Sequence, residues 1–144
     1  MPAAQRVLLG VRRPYEDHRR DEGSGVVDFV LVTVLLLFLF LAVVQVGLVL
    51  HTRNVLVAAA AEGARYGANA DRTPEQGAAR TQEVVADALS ARTADALQVV
   101  PSTPLSPEGL QTVQIEVTSP LPVVLLPVGP LRITVRGHAL REGT

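Results

Sequence analysis

Cysteine, tryptophan and lysine are absent from this 144-residue chain, and aromatic residues make up only 3% of it. Without cysteine there are neither disulfides nor thiolate metal ligands. The three histidines, His18, His51 and His138, lie far apart without ligand spacing, so neither a metal nor any other cofactor is expected. The thirteen basic residues are all arginine, against fourteen acids, for a formal net charge of −1. Neither half is basic enough to form a nucleic-acid surface, so no nucleic-acid partner is expected. No nucleophile elbow, metal-binding helix motif or glycine-rich phosphate loop is present, which points away from an enzyme.

What the chain does have is a long apolar run over residues 26–50, VVDFVLVTVLLLFLFLAVVQVGLVL, whose only polar side chains are Asp28, Thr33 and Gln45. It exceeds the roughly 20 residues that cross a hydrocarbon core. In lipid every backbone amide must find its partner within the segment, so the run is predicted to be a single transmembrane helix. A secretory signal peptide is the rival reading, with the alanines at 58–61 as a cleavage-site mimic, but its apolar region is usually about 7–15 residues long. Four arginines lie within about 15 residues before the span, and only Arg53 and Arg65 follow soon after it. That asymmetry keeps the N-terminus cytoplasmic and sends the C-terminal part outward. The protein is thus expected to be a single-pass protein of the cytoplasmic membrane.

The helical pattern continues past Leu50 through HTRNVLVAAAAEGARYGANA to about Ala68, in good helix formers without proline. Ala59, Gly63 and Gly67 recur every four residues, forming a small-residue ridge where another helix or a sheet can come close, unless alanine-rich composition alone produces it. Residues 69–72 read as a turn. Thr73, Pro74 and Gln76 then carry a capping-box signature, opening a second helix predicted to run to about Leu97. Its apolar face is Thr81, Val84, Val85, Ala88 and Leu89, leaving Arg80, Glu83 and Asp87 to water.

Val99 and Val100 start a predicted strand, and Pro101, Pro104 and Pro107 mark a loop after it. Residues 112–118 and 131–135 alternate apolar and polar side chains, as half-buried strands do. Glu116 is placed to face Arg132 or Arg136 across such a sheet. The connector between the strands contains the apolar run 123–126, read as a short strand or an exposed contact patch. With so few aromatics, the core outside the membrane is expected to be modest and built from Val, Leu and Ile. The fold class is α+β: a long N-terminal transmembrane helix continuing outward, a second amphipathic helix, and a small antiparallel sheet.

At the edge of the span Gly23 precedes Ser24, and the carboxylate Asp28 stands at the fifth position after the glycine. A charge just inside an apolar run is costly, and such residues are functional candidates by default. This arrangement resembles the class III signal sequence of type IV prepilins. Residues 23–68, with RNVLVAAAAEGARYGA after the span, look like the TadE-like family of pilin-like minor subunits from tight-adherence (Flp) pilus systems. In that family a G-S-x-x-V-E-F start is followed by a leucine-rich span and an A-A-x-E-G-A-R continuation. Asp28 stands here where the family commonly has glutamate, and the leader is rich in acids.

The resemblance implies cleavage by a prepilin peptidase between Gly23 and Ser24, with Asp28 part of the processing region. It also marks Glu62, Gly63, Arg65 and Gly67 as family-motif positions on the helix. The implied partners are the peptidase, other pilin-like subunits, an assembly platform and membrane lipid. On this reading residues 1–23 are a cytoplasmic leader, 24–50 the transmembrane helix, 51–72 its exported extension and turn, and 73–144 a small exported α+β domain. The residues themselves allow plainer readings. On these readings Gly23 and Gly25 form a juxtamembrane hinge, Asp28 a helix cap, and Glu62 with Arg65 an i, i+3 surface pair. The alternative function is that of an uncleaved bitopic membrane protein with a partner-binding domain.

Overall fold

A computed structural model describes residues 21–121 and 131–141. The chain divides into two compact units, residues 1–38 and 39–144. Helix α1, Asp21–Ala68, begins in the first unit and ends in the second. It is followed by α2 (Pro74–Ala88), α3 (Ala91–Asp95), β1 (Gln98–Ser102), β2 (Thr112–Pro120) and β3 (Arg132–Leu140). The three strands form one antiparallel sheet in the order β1-β2-β3. The architecture is α+β, with a long apolar helix first and a small sheet last, as the sequence predicts.

From Gly25 onward α1 is long and apolar enough to cross a membrane, and among the described residues it is the one helix that is. Its side chains over residues 25–40 are all exposed; Phe29, for example, is 71% exposed. Hydrophobic side chains in that number are not left facing water, so lipid or other apolar helices must cover them.

The second unit has its own core. Leu56, Val85, Leu97, Val113, Ile115, Val117 and Val135 are buried in it together with Ala59, Ala60, Ala64, Ala68 and Ala94. Among the described residues alanine therefore supplies five of the twelve in the core, more than the expected Val, Leu and Ile core allows for. The cause is close packing of backbones. A methyl on Gly137 of β3 would collide with the backbone of Ala60 and Ala61, so the sheet rests directly on α1.

The turn after Ala68 is closed by the Arg72 amide donating to the Asn69 carbonyl at 3.1 Å. Both halves of the predicted capping box form. The Gln76 amide donates to the Thr73 hydroxyl at 3.3 Å, and the Thr73 amide donates to Gln76 Oε1 at 3.1 Å.

The predicted second helix does not reach Leu97. It stops at Ala88, because Ser90 adopts an extended conformation and caps a new short helix, its hydroxyl accepting from the Thr93 amide at 3.1 Å. A serine side chain competes with helical bonding in just this way. The buried face of α2 is Gly77, Thr81 and Val85, with Val84 and Leu89 half-buried and Ala88 exposed.

Pro101, expected in a loop, lies inside β1 opposite Ile115. An edge strand tolerates it because its missing amide need not serve the ladder. β2 runs to Pro120 with Val113, Ile115, Val117 and Ser119 buried, extending the predicted alternation by one period. β3 continues five residues beyond the predicted Val135. The run at 123–126 lies outside the described residues.

Candidate functional site

Two sets of residues stand out from the sequence, and they occupy opposite ends of α1. Gly23 and Ser24 lie within the helix, and the bond between them has helical backbone on both sides. Asp28 is exposed on the same helix. Helical backbone runs on both sides of Asp28, so it does not cap α1, which removes that plainer reading. Gly25 has open space around its Cα. Thr33 settles its hydroxyl on the Phe29 carbonyl at 2.8 Å, one turn back, so that its own polar hydrogen is satisfied within the helix.

The second set lies under α2. A methyl on Gly63 would strike the Thr81 side chain, and one on Gly67 would come within 3.1 Å of the Thr73 carbonyl and 3.3 Å of Gly77 Cα. From the other side, a methyl on Gly77 would strike the Gly63 carbonyl oxygen. The small-residue ridge is therefore a seam, and its occupant is the chain's own second helix. Thr81, fully buried in that seam, donates its hydroxyl to the Gly77 carbonyl at 3.0 Å. Of the motif positions, Gly63 and Gly67 are buried, Glu62 is half-buried and Arg65 is exposed.

The Glu62 carboxylate does not pair with Arg65. Its ion pair is with Arg80 of α2 at 3.8 Å, and Arg80 also holds Glu83 at 3.2 Å. The i, i+3 spacing missed this because the true partner lies across the seam. Glu62, Tyr66, Gln76, Ala79, Arg80 and Glu83 line a shallow groove of about 470 Å³, beside which the Arg72 guanidinium stacks over the Tyr66 ring at 4.9 Å. The groove offers charge pairing rather than reaction chemistry. Among the described residues no group of three His, Cys, Asp or Glu side chains is placed to hold a metal ion.

Glu75, in the first turn of α2, has its carboxyl held below the ordinary glutamate range. Its own backbone amide is the main cause, and the Thr73 side chain adds to it. Across the sheet Arg136 meets Glu116 at 2.6 Å, one of the two pairings the sequence allowed.

Gly77, Gly137 and Arg80 are the structurally decisive residues that sequence reasoning passed over as sites. For the glycines a signal existed: a glycine inside a helix or a strand weakens it unless something must come close.

Neither a curated protein nor a solved structure matches the chain. A family model does match, that of the TadE-like proteins, over residues 23–65. Those residues hold Gly23, Ser24 and Asp28 at one end and Glu62, Gly63 and Arg65 at the other, so it is in this stretch, from the edge of the span to the seam under α2, that the chain is TadE-like.

Proposed function

We propose that the protein is a pilin-like minor subunit of a tight-adherence (Flp) pilus system, structural rather than catalytic. The observation that carries the reading is the pairing of a TadE-like match over residues 23–65 with an apolar helix whose side chains are exposed over residues 25–40. The TadE-like region by itself suggests an association with such a pilus. The finer reading is that a prepilin peptidase cuts between Gly23 and Ser24 on the cytoplasmic side, leaving Ser24 as the new N-terminus.

Cleavage needs extended backbone, and Gly23 and Gly25 on either side of Ser24 weaken the helix at the bond to be cut. After the cut Asp28 would stand one turn from the positive end of the shortened helix, where a carboxylate is favourable. It would also be available to the new ammonium group of a neighbouring subunit. The span, residues 24–50, would wait in the cytoplasmic membrane with the C-terminal domain outside. An assembly platform driven by a secretion ATPase would then move it into a helical bundle. Leaving lipid is thermodynamically reasonable only if the apolar surface is buried again against like helices.

Mass spectrometry of the protein purified from its native membrane tests the reading. An N-terminus at Ser24 supports it, and a Gly23→Leu change should then leave the leader attached. An N-terminus near Met1 in the unaltered protein refutes processing and favours the uncleaved bitopic protein.

A further inference from the structure

The folded unit after the span meets α1 at a defined height. Arg53 and Val57 line a shallow groove with Thr134, Val135 and Arg136, and further along Gly137 lies against Ala60 and Ala61. Seven residues of helix and three of strand both advance about 10 Å, so β3 and this part of α1 run side by side in the same direction. Followed backwards, the start of β3 falls beside the last apolar turn of α1.

A second observation gives the same height independently. Leu48 and Thr52 of α1 share an apolar groove of about 440 Å³ with Leu89, Arg92, Pro120 and Leu121. Pro120 pairs with Arg132, and the Leu121 amide donates to the Leu131 carbonyl at 2.8 Å, so Leu131 is held at this end too. Leu131 is 49% exposed. The sequence between them, residues 122–130, carries no polar side chain.

The linings of the two grooves carry arginine and no acidic side chain, although Asp95, exposed on α3, lies next to groove-lining Ala96. Arg53 and Arg92 are exposed and make no ion pair among the described residues, whereas the nearby Arg136 is already held by Glu116. Guanidinium groups beside exposed leucines, level with the end of a membrane-spanning run, match the boundary between phosphate and acyl chain.

We propose that this end of the folded unit is seated on the bilayer. Leu131 and the groove beneath Leu121 take the upper acyl region of a phospholipid, and Arg53 and Arg92 hold anionic headgroups of the leaflet from which α1 emerges. The proposal rests on residues 25–50 spanning the membrane, and the test separates the two claims.

Because the chain has no tryptophan, a single one introduced by substitution reports depth without background. The full chain is reconstituted in vesicles of phosphatidylcholine and phosphatidylglycerol carrying bromine near the headgroup end of the acyl chains or deep within them. Leu37→Trp reports the span. Leu131→Trp reports the proposed seat, and Leu105→Trp, 69% exposed beside the far end of β2, is the control. The expected result is quenching by deep bromine for Leu37→Trp, quenching by shallow bromine for Leu131→Trp, and none for Leu105→Trp. Adding Arg53→Glu and Arg92→Glu should weaken seating roughly fivefold or more per position, with the loss greatest in phosphatidylglycerol-rich vesicles. If Leu37→Trp is quenched while Leu131→Trp is not, or if Leu131→Trp and Leu105→Trp are quenched alike, the proposal is overturned and the span stands. If neither Leu37→Trp nor Leu131→Trp is quenched, both fall. Quenching of Leu131→Trp that ignores the charge reversals overturns the role of the arginines.

Discussion

Replacing Gly77 by alanine sets two effects of known sign against each other. In an exposed helix interior the change would stabilise α2 by about 1 kcal/mol through propensity alone. Here the new methyl would meet the Gly63 carbonyl oxygen and approach Gly67 Cα at 3.1 Å and Gly67 N at 3.2 Å. All three are backbone atoms of α1, which cannot rotate aside, so the helices must separate and the packing of Thr81 and Val85 behind them loosens. Overpacking of this kind typically costs about 1–3 kcal/mol, and with nothing flexible to yield the upper part of that range applies, for a net loss of about 1–2 kcal/mol. For a unit of this size each kcal/mol lowers Tm by about 4–8 °C.

Thermal unfolding of the full chain in detergent micelles, followed by circular dichroism, reads the shift. Limited proteolysis at the melting temperature would locate it in the second unit. Gln82→Ala, on the exposed side of α2, is the control and should stay within about 0.5 kcal/mol of the parent. A rise in Tm for Gly77→Ala, of the size propensity predicts, would mean that α2 does not lie on the glycines of α1, and the account of the seam would be wrong.

Three further outcomes follow from the same geometry. Thr73→Ala removes the hydroxyl that accepts from the Gln76 amide, while the backbone amide of residue 73 can still donate to Gln76 Oε1; the change should cost about 1 kcal/mol, with faster amide exchange at Gln76 than elsewhere in α2. Arg80→Ala releases Glu62 and Glu83, but Glu83 is exposed and the other two side chains are only half-buried, so the loss should be only about 0.2–1 kcal/mol and should shrink in high salt. The Glu75 carboxyl, depressed by its own amide and Thr73, should titrate by NMR below the ordinary glutamate range. A depressed carboxyl stabilises the fold above its unfolded-state pKa, so that contribution should disappear as pH falls through the folded-state value. In Thr73→Ala the Glu75 titration should move back toward the ordinary value.

Much of this protein is written locally. Solvation alone dictates the helix over residues 26–50, because no other open-ended structure satisfies its backbone in lipid. Thr73, Pro74 and Gln76 specify the start of α2 through bonds no more than three residues apart, and the alternation from Val113 to Val117 declares the buried face of β2. The edge of the span at Gly23, Ser24 and Asp28 is legible in the same way, as a short pattern against a long apolar run.

Tertiary structure decided the features whose partners are distant in sequence. Ser90 splits the predicted second helix, and nothing in the apolar periodicity around it marks the break. β3 passes through Gly137, a residue that argues against a strand until Ala60 is known to lie against it. Glu62 finds Arg80 across eighteen residues of chain rather than Arg65 on its own helix, because the glycines on both sides bring α2 close enough. The ridge at Ala59, Gly63 and Gly67 shows from sequence only that something must come near. That the visitor is α2, and that the sheet rests on Ala60 and Ala61 beside it, depends on how far apart two backbones come to rest, a distance that periodicity does not encode.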